Sequence, residues 1–346
     1  MLQQTQVKTV LPYWERWMRE LPDIAALARA KLEKLHKLWE GLGYYARVRN
    51  LQKAARLVVN KHDGRFPVDF EQVLELPGIG RYTAGAICSI AFNQPKPLLD
   101  GNVMRVLSRL YGIAGNLRER KTNARLWQLA EDLVACAART RARRACSRFN
   151  QSLMELGALI CTPRQPRCGV CPVAKQCVAY RQDRVDQLPE LSRRSRATRR
   201  RFVAFVAQRD GLFLVRQRPA GVVNAHLWEF PNVELDPGGR ASPRALISGK
   251  VWARGDARLP KHAVLTRALG SAARRALGLS PSELQPLCVV KHSITRYRIT
   301  LEVYQVTVHD AARIEPAMGR WLGPRRLNQL AFTSAHKQIL KRLEDE

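Results

Sequence analysis

The spacing of hydrophobic residues divides the chain into a helical part and a strand-rich part. Apolar positions recur three and four residues apart in segments such as 7–18, 32–42 and 127–137, which predicts amphipathic helices throughout residues 1–160. From about residue 202, the chain carries β-branched, alternating runs separated by turn residues, namely RFVAFVAQ, LFLVRQR, LCVVKH and YRITLEVYQVTV. Runs of this kind predict strands. We therefore expect a helical region followed by a mostly β region.

Residues 182–201 have the composition of an exposed linker. They contain Pro189 and six arginines in the eleven positions 191–201. The sequence thus predicts one domain over residues 1–181, a basic linker over 182–201 and a second domain over 202–346. The arginines can act as a solvated tether or as additional phosphate contacts, which would add affinity but no sequence information.

Length, composition and charge support two folded domains with a polyanionic partner. The 346 residues are 46% hydrophobic and 25% charged, which argues against a disordered chain or a small disulfide scaffold. The formal net charge of +30 favours nucleic acid as the partner. Neither a long uncharged apolar run nor a secretory signal is visible. We therefore expect a cytoplasmic, nucleoid-associated monomer with no membrane partner.

Four of the eight cysteines form a cluster with regular spacing. Cys161, Cys168, Cys171 and Cys177 follow the pattern C-x6-C-x2-C-x5-C, which predicts a metal site. Zinc and iron–sulfur clusters both use four thiolates, and spacing alone leaves both open. The remaining cysteines, which are predicted to be buried or surface thiols, are Cys88, Cys136, Cys146 and Cys288.

A glycine turn and a later aspartate have the residue types of a DNA-binding site. Gly78 and Gly80 form a tight turn in LELPGIGRYTAGAI, and their N–H groups can face a phosphate at the start of the next helix. An ordinary interhelical turn would have the same sequence. In LLDGNVMRVLSRL, Asp100 precedes an amphipathic helix, where the simplest role is an N-cap.

Several segments, taken in order, resemble the iron–sulfur helix-hairpin-helix DNA glycosylases. They are LQQTQV at 2–7, GLGYYARVRNL at 41–51, LPGIGRYTAGAI at 76–87, LDGNV at 99–103 and MELGALIC at 154–161. The C-terminal strands are similar to those of the MutY adenine glycosylase branch. The resemblance implies an all-α helix-hairpin-helix glycosylase region with an iron–sulfur cluster loop, followed by an α+β MutT-like (Nudix-like) domain. It also implies a 4Fe-4S cluster bound by the four clustered cysteines.

The same resemblance implies a reaction and its catalytic residues. Members of this family hydrolyse the N-glycosidic bond of adenine opposite 8-oxoguanine or G in double-stranded DNA, after turning the adenine out of the base stack. Positive charge grows on the sugar as adenine leaves, and a carboxylate beneath it stabilises that state. Asp100 matches this carboxylate, while Asn102 and Tyr82 match residues that orient the reacting sugar.

Tyr82 also predicts a monofunctional enzyme. The endonuclease III branch, which acts on oxidised pyrimidines, is similar in scaffold but has a Schiff-base lysine at this position. Because Tyr82 has no amine, we do not expect efficient strand cleavage. An endonuclease III-like pyrimidine glycosylase is a further alternative, and both Tyr82 and the C-terminal strands argue against it.

Residues in the first two matching segments are expected to contact DNA. The Gln3–Gln4–Thr5 run and Tyr44 match residues that wedge into the duplex and touch the damaged pair. An amide or an aromatic ring can fill the space left by an extruded base. Without the motif, core packing would be the simpler role for Tyr44.

The C-terminal region is similar to the domain by which this family recognises 8-oxoguanine. His292, Ser293 and Thr295 lie in the loop that resembles the lesion-reading turn, where Thr295 replaces a serine and Arg296 a histidine. Residues 268–280 occupy the expected Nudix helix and contain no carboxylate for a metal. We therefore expect lesion recognition without nucleotide hydrolysis.

One catalytic group of the family has no counterpart in this sequence. The family's glutamate that protonates the leaving adenine lies just upstream of the LQQTQV segment, whereas this chain begins at Met1. Either the true start lies further upstream, which we favour because the later motifs are intact, or the chain is a homologue that binds mispairs and excises poorly. General acid catalysis contributes about 10²–10⁴-fold, so the two alternatives differ measurably.

Overall fold

The computed structural model describes residues 1–3, 5–117, 119–190, 196–235, 267–279, 281, 283–308 and 319–345. Its contacts divide the chain into two compact units. One unit is discontinuous in sequence and combines Met1–Arg49 with Ser195–Glu346, and the other is Asn50–Arg194. The division into domains 1–181 and 202–346 stays a prediction from composition.

Helices dominate the first half of the chain. They are α1 (Val7–Glu20), α2 (Ile24–Arg29), α3 (Leu32–Leu38), α4 (Ala46–Lys61), α5 (Phe70–Leu74), α6 (Arg81–Ile90), α7 (Gly101–Leu110), α8 (Arg120–Ala138), α9 (Ala145–Glu155) and α10 (Val178–Arg181). A π-helix (Leu156–Ile160) extends α9, and 3₁₀ turns cover Cys168–Val170 and Ala174–Gln176. The predicted helix over 32–42 ends early at Leu38, and Gly41 and Gly43 then adopt positive φ angles of 104° and 69°.

The second half contains seven strands and three further helices among the described residues. They are β1 (Thr198–Arg209), β2 (Leu212–Gln217), β3 (Trp228–Glu229), β4 (Asn232–Glu234), α11 (Arg267–Leu277), β5 (Gln285–Ile294), β6 (Tyr297–Thr307), β7 (Arg320–Leu322), α12 (Pro324–Leu327) and α13 (Ser334–Glu344). Helices thus precede a sheet-containing region, which confirms the predicted fold class. In the part of the chain that the structure describes, no helix is long and apolar enough to cross a membrane.

The sheet of the discontinuous unit is mixed and is covered on both faces. Its main path is β3-β2-β1-β6-β5, with β4 added to β1 and β7 to β2. The central strands β1 and β6 run parallel, whereas the other pairs are antiparallel. One face packs on α11 and the other on α13, which explains why residues 203–207 of β1 are all buried.

A buried carboxylate joins the first 49 residues to the C-terminal part of the same unit. Glu40 is 8% exposed and accepts hydrogen bonds from the Phe332 N–H at 3.0 Å and from the ammonium groups of Lys37 at 3.0 Å and Lys337 at 2.7 Å. Burial by itself raises the pKa of Glu40, but the hydrogen bonds from Lys337, Phe332 and Lys37 outweigh burial, and the net pKa is lowered. A carboxylate with these partners is held in its charged form.

The glycine turn of the continuous unit connects α5 to α6. Gly78 has φ +84°, and a Cβ there would lie 2.7 Å from the Asn50 Cβ, so this position requires glycine. Gly80 is the N-cap of α6 with an extended backbone, and a Cβ there would meet open space. The N-terminus of α6 is therefore sterically accessible at Gly80.

Helix α7 occupies the centre of this unit. Its apolar side buries Val103 and Leu107 against residues from α8 and α9, such as Leu126 and Leu153. The π-helix packs closely beside α7, since a Cβ at Gly157 would lie 2.9 Å from the Asn102 Cβ. The absent side chain at Gly157 thus makes room for Asn102.

The Glu40 contacts generate a stability prediction. Replacing Glu40 with Ala leaves the buried Phe332 N–H without its acceptor, and we expect a loss of about 1–3 kcal/mol in the unfolding free energy. Glu33→Gln is the matched control, because the Glu33–Arg326 pair is exposed on both sides and such pairs contribute about 0–1 kcal/mol. Urea unfolding at neutral pH measures both variants, and equal losses would contradict the role of Glu40.

The lowered pKa of Glu40 also predicts a pH dependence. Because the folded-state pKa lies below the ordinary value of 4.5, the stabilisation is present above pH 4.5 and is lost as the pH falls through the folded-state pKa. Glu40→Gln removes this titration. The stability difference between wild type and Glu40→Gln should therefore shrink in acid, and a constant difference would exclude Glu40 as its source.

Candidate active site and iron–sulfur loop

The candidate catalytic carboxylate lies at the N-terminus of α7. Asp100 is the N-cap of this helix, and its Oδ1 accepts a hydrogen bond from the Val103 N–H at 2.8 Å. Its Oδ2 accepts from the Asn102 side-chain amide at 3.3 Å. The N-cap role anticipated from sequence is thus present, and it fixes the position of a half-buried carboxylate at the positive end of a helix dipole.

Asn102 connects this carboxylate to a buried arginine. The Asn102 Oδ1 accepts from the Arg105 Nη2 at 3.0 Å, so the amide nitrogen faces Asp100. Arg105 is 8% exposed and also donates to the carbonyl of Gly157 at 2.6 Å and of Cys161 at 2.7 Å. A continuous chain of hydrogen bonds therefore runs from Asp100 to the backbone of the first clustered cysteine.

Tyr82 lies on α6, close enough to Asp100 to be affected by its charge. Burial, with a smaller contribution from the negative charge of Asp100, raises the pKa of the Tyr82 phenol. The hydroxyl therefore stays protonated across the physiological range and is available as a neutral donor. The structure thus brings together the three residues predicted from sequence as catalytic, namely Tyr82, Asp100 and Asn102.

All four clustered cysteines line one cavity. Cys161, Cys168, Cys171 and Cys177 share its wall with apolar side chains and with Arg109. Burial, followed by the charges of the other three thiolates, raises the pKa of Cys168. All four thiols thus face one cavity, and a cation bound there would offset the repulsion between their ionised forms.

The four cysteines supply the ligands of an iron–sulfur cluster. Such a cluster is held by four cysteine thiolates, and all four of these residues line the same cavity. Within the described residues, no three His, Cys, Asp or Glu side chains are grouped closely enough to hold one metal ion.

Arg109 attaches α7 to the cysteine loop. Arg109 is 3% exposed, and its guanidinium donates to the Leu188 carbonyl and the Thr162 carbonyl, each at 2.8 Å. The same group lies 3.4 Å from the Cys161 Sγ. Because Arg105 and Arg109 are four residues apart, they project from one face of α7. Neither arginine was predicted from the sequence, although two arginines at helical spacing in an amphipathic helix could have indicated them.

Arg47 organises the N-terminal segment within the discontinuous unit. Its guanidinium donates to the Met1 carbonyl at 2.8 Å, to the Thr5 Oγ1 at 3.2 Å and to the Gln3 carbonyl. It also donates to the carbonyls of the loop before α4, at Leu42 and Gly43. Arg47 was not predicted from the sequence. Its guanidinium connects the LQQTQV segment to the GLGYYARVRNL segment.

The predicted DNA-contacting residues of this unit are mostly exposed. Tyr44 has φ +48° and is 57% exposed, so it is not a core residue. Its ring lies 5.7 Å from the Arg47 guanidinium. Gln3 is exposed and Thr5 is half-buried, whereas Gln4 lies outside the described residues. Their contact with DNA stays a prediction.

The predicted lesion-reading loop is shorter than the sequence indicated. Strand β5 continues through Ile294, so His292 and Ser293 lie on the strand, and only Thr295 lies in the turn to β6. Thr295 has φ +51°, a strained conformation for a β-branched residue. Side chains alternate along β5, so His292 and Ser293 face opposite sides of the sheet. Burial lowers the pKa of His292, which favours the neutral imidazole.

Comparisons with known proteins identify three domains in this chain. Residues 1–132 match the HhH-GPD superfamily of base excision DNA repair proteins, residues 161–177 match the iron-sulfur binding domain of endonuclease III, and residues 202–342 match the NUDIX domain. The chain is a DNA glycosylase, a hydrolase of base-excision repair, and it carries a 4Fe-4S cluster.

Curated relatives define the family more narrowly. The adenine DNA glycosylase of Mus musculus is 34% identical over the whole of this chain and 70% of the relative, and that of Homo sapiens is 32% identical over 99% of this chain and 66% of the relative. The chain belongs to the adenine DNA glycosylase family. Among solved structures, a thermostable thymine-DNA glycosylase is 29% identical with a TM-score of 0.46, covering 52% of this chain and 80% of that one.

The Arg109 contacts predict a specific effect on the iron–sulfur loop. In Arg109→Gln, the buried carbonyls of Thr162 and Leu188 lose charge-assisted hydrogen bonds, each of which contributes about 1.5–3 kcal/mol. We expect reduced iron content and reduced visible absorbance of the purified protein. Arg164→Gln is the matched control, because it removes one exposed positive charge from the same loop. Equal iron content in the two variants would show that Arg109 does not support the cluster.

A separate prediction concerns Arg47. Arg47→Met keeps much of the side-chain volume but removes every hydrogen bond to residues 1–5. The amides of this segment should then exchange with deuterium faster than in wild type, while those of α6 stay unchanged. Arg19→Met, an exposed position on α1, provides the control. Unchanged exchange at residues 1–5 would mean that other contacts hold the segment.

Proposed function

We propose that this DNA glycosylase hydrolyses the N-glycosidic bond of adenine paired with 8-oxoguanine, without cleaving the DNA strand. The observation that carries the proposal is the hydrogen-bonded Asp100 carboxylate at the start of α7, next to Asn102 and Tyr82. The substrate base comes from the relatives, which are named adenine DNA glycosylases.

Asp100 is proposed to stabilise the developing positive charge on the deoxyribose. As the bond to adenine lengthens, the sugar acquires oxocarbenium character, and a fixed carboxylate lowers the energy of that state. The Val103 N–H and the Asn102 amide hold the two oxygens of Asp100 in place. A carboxylate that is already oriented requires little reorganisation during the reaction.

Asn102 and Tyr82 are proposed to position the reacting nucleotide. Asn102 is itself fixed by Arg105 and by the close approach of Gly157, so its amide has a defined direction. Tyr82 offers a neutral hydroxyl with a raised pKa. Neither group can form a Schiff base, and the product is therefore expected to be an intact strand with an apurinic site.

DNA contact is assigned to two groups of residues. The turn at Gly78 and Gly80 presents the N-terminus of α6, a site suited to a backbone phosphate. Tyr44 supplies an exposed aromatic ring that can fill the space of an extruded base, and Gln3 and Thr5 lie in the segment that Arg47 holds. Gln4 is proposed as part of the same wedge on the basis of sequence alone.

The β5–β6 turn is proposed to recognise 8-oxoguanine. Thr295 is exposed at the tip, where its hydroxyl donates to the Ile294 carbonyl at 2.7 Å and can accept a hydrogen bond, and Arg296 follows it and supplies donors for the edge of the oxidised base. Ser293 precedes the turn on strand β5, whereas His292 lies on the opposite face of the sheet. Helix α11 contains no carboxylate, so this NUDIX domain is proposed to bind the lesion without hydrolysing nucleotides.

The decisive experiment is single-turnover adenine release from a duplex with one A·8-oxoguanine pair. Asp100→Asn should lower the rate by at least about 10²-fold, the range for losing one preorganised charge-stabilising group, and should leave duplex binding intact. Because Asn is also a good N-cap, α7 is expected to stay folded. Strand breaks should appear only after alkali treatment of the product.

Asp69→Asn provides the matched control. Asp69 is the N-cap of α5 and accepts hydrogen bonds from two backbone N–H groups, as Asp100 does from one, but it is an exposed capping residue of the hairpin's first helix. Its variant should release adenine at the wild-type rate. Equal rates for wild type and Asp100→Asn would remove Asp100 from the mechanism, and strand breaks without alkali would contradict the monofunctional reaction.

A further inference from the structure

One face of the C-terminal sheet changes from apolar to cationic along its length. Val203 and Phe205 of β1 pack on α11, as does Tyr304 of β6. Because alternate residues share a face, steps of two back along the strands reach Arg201 and Arg199 on β1, and Thr300 and Arg298 on β6. Beyond the α11 contacts, this face therefore carries charged side chains.

Strand register places these side chains in two adjacent rows. In the first row, Arg298 lies beside Arg199 of β1 and beside Ser293 of β5. In the second row, Thr300 lies between Arg201 and Lys291. Neighbouring strands are about 4.8 Å apart and rows on one face about 7 Å apart, so four cations share a patch of roughly 10 by 7 Å. We call Arg199, Arg201, Lys291 and Arg298 the cationic face.

The positive charge on this face is poorly balanced. Arg201 pairs with Glu302, the next side chain of β6 on the same face. The side chains of Arg199, Lys291 and Arg298 are exposed, and none of them has a carboxylate partner among the residues that the structure describes. Placing Arg199 directly beside Arg298 is unfavourable in isolation, because like charges at paired positions repel.

The opposite face of the same strands is arranged differently. There, Arg200 pairs with Glu234 and lies over the rings of Phe202 and Tyr297, at 5.3 Å and 5.0 Å. A cation on that face is neutralised by a carboxylate and shielded by aromatic rings. The excess charge is therefore a property of one face, and a general excess of arginine in the strands does not account for it.

The position of the cationic face indicates its partner. The face begins at the β5–β6 turn, since Arg298 is three residues beyond Thr295 and Ser293 two residues before it. The Thr198 N–H donates to the Arg296 carbonyl at 2.9 Å, which fixes the start of β1 beside the same turn. Duplex DNA presents closely spaced phosphates along each strand, and a patch of cations next to a base-reading turn is complementary to them.

We propose that the cationic face binds the phosphate backbone of duplex DNA beside the nucleotide that the β5–β6 turn reads. The proposal rests on the proposed function for the identity of the polyanion. Arg199, Lys291 and Arg298, which have no carboxylate partner within the described part of the chain, supply affinity that is independent of base sequence, whereas the turn supplies specificity. The repulsion between Arg199 and Arg298 is relieved when a phosphate lies between them.

The test uses a triple variant of the full chain, Arg199→Gln with Lys291→Gln and Arg298→Gln. We expect its Kd for duplex DNA to rise at least about tenfold at 0.1 M salt, and the slope of log K against log salt to fall by about 2–3, because each phosphate contact contributes about 0.9. The loss should be equal for duplexes with and without 8-oxoguanine. Fluorescence anisotropy over a salt series measures both quantities.

Two further variants separate charge from structure. Arg199→Lys with Arg298→Lys keeps the charge and should retain the wild-type salt slope. The matched control is Arg320→Gln with Arg325→Gln and Lys341→Gln, which removes three exposed cations elsewhere in the same unit and should also retain the slope. The melting temperature of the triple variant of the cationic face should equal or exceed that of wild type, because a repulsive pair has been removed.

The outcomes distinguish this proposal from the proposed function. Suppose that wild type binds DNA and releases adenine, and that the slope of log K against log salt changes equally in the triple variant of the cationic face and in its control. The cationic face is then not a phosphate site, and the glycosylase assignment stands. If the face variant loses affinity only for the lesion duplex, the residues read the base, and the phosphate proposal is wrong. If wild type releases no adenine from the A·8-oxoguanine duplex, the proposed substrate is wrong. The salt slopes still show whether the cationic face binds phosphates.

Discussion

Two guanidinium groups inside the continuous unit determine how its functional parts are held together. Arg105 and Arg109 project from one side of α7, and both are almost fully buried. A buried guanidinium is costly unless its donors are satisfied, and here the partners are mainly backbone carbonyls of the π-helix and the cysteine loop. Asp100, the candidate catalytic carboxylate, is the N-cap of α7. The same helix therefore positions this carboxylate and, through its two arginines, holds the polypeptide around the cluster.

This arrangement gives the cysteine loop a structural role that does not depend on electron transfer by the cluster. Short turns with their own backbone hydrogen bonds, such as those from Cys171 to Cys168 and from Cys177 to Ala174, shape the loop locally, and its position also depends on what it binds and packs against. Cluster ligation by the four cysteines and the hydrogen bonds from Arg109, which lines the same cavity, fix that position. Displacement of the loop would be transmitted to Cys161, then through Arg105 to Asn102, whose amide faces Asp100.

The arginines of this chain fall into two groups with different consequences. A net charge of +30 correctly indicates a polyanionic partner, because no intramolecular arrangement can neutralise it. However, Arg47, Arg105 and Arg109 donate to carbonyls and contribute to architecture, so the composition overstates the charge available to DNA. Exposed arginines such as Arg199 and Arg298 are different, since the described structure offers them no counter-charge.

Much of the fold and the site could be predicted from sequence because the signals are local. Helical periodicity, alternating strands, the spacing of the four cysteines and the N-cap position of Asp100 are each encoded within a few residues. The length of the β5–β6 turn was misjudged, because Thr295 adopts a left-handed conformation that its residue type disfavours. Arg47 and Glu40 were missed because most of their partners are distant in sequence, and no local pattern specifies a contact such as Glu40 with Lys337.

The discontinuous unit has a consequence for the order in which the protein can fold during synthesis. Residues 1–49 leave the ribosome well before residues 195–346, which their compact unit also requires. The continuous unit, Asn50–Arg194, is complete much earlier and can form its core while the C-terminal strands are still being translated. Until Phe332 and Lys337 emerge, the carboxylate of Glu40 has only Lys37 as a partner among its three. The nascent chain thus passes through a stage in which Glu40, made early, depends on one of the last segments to be synthesised.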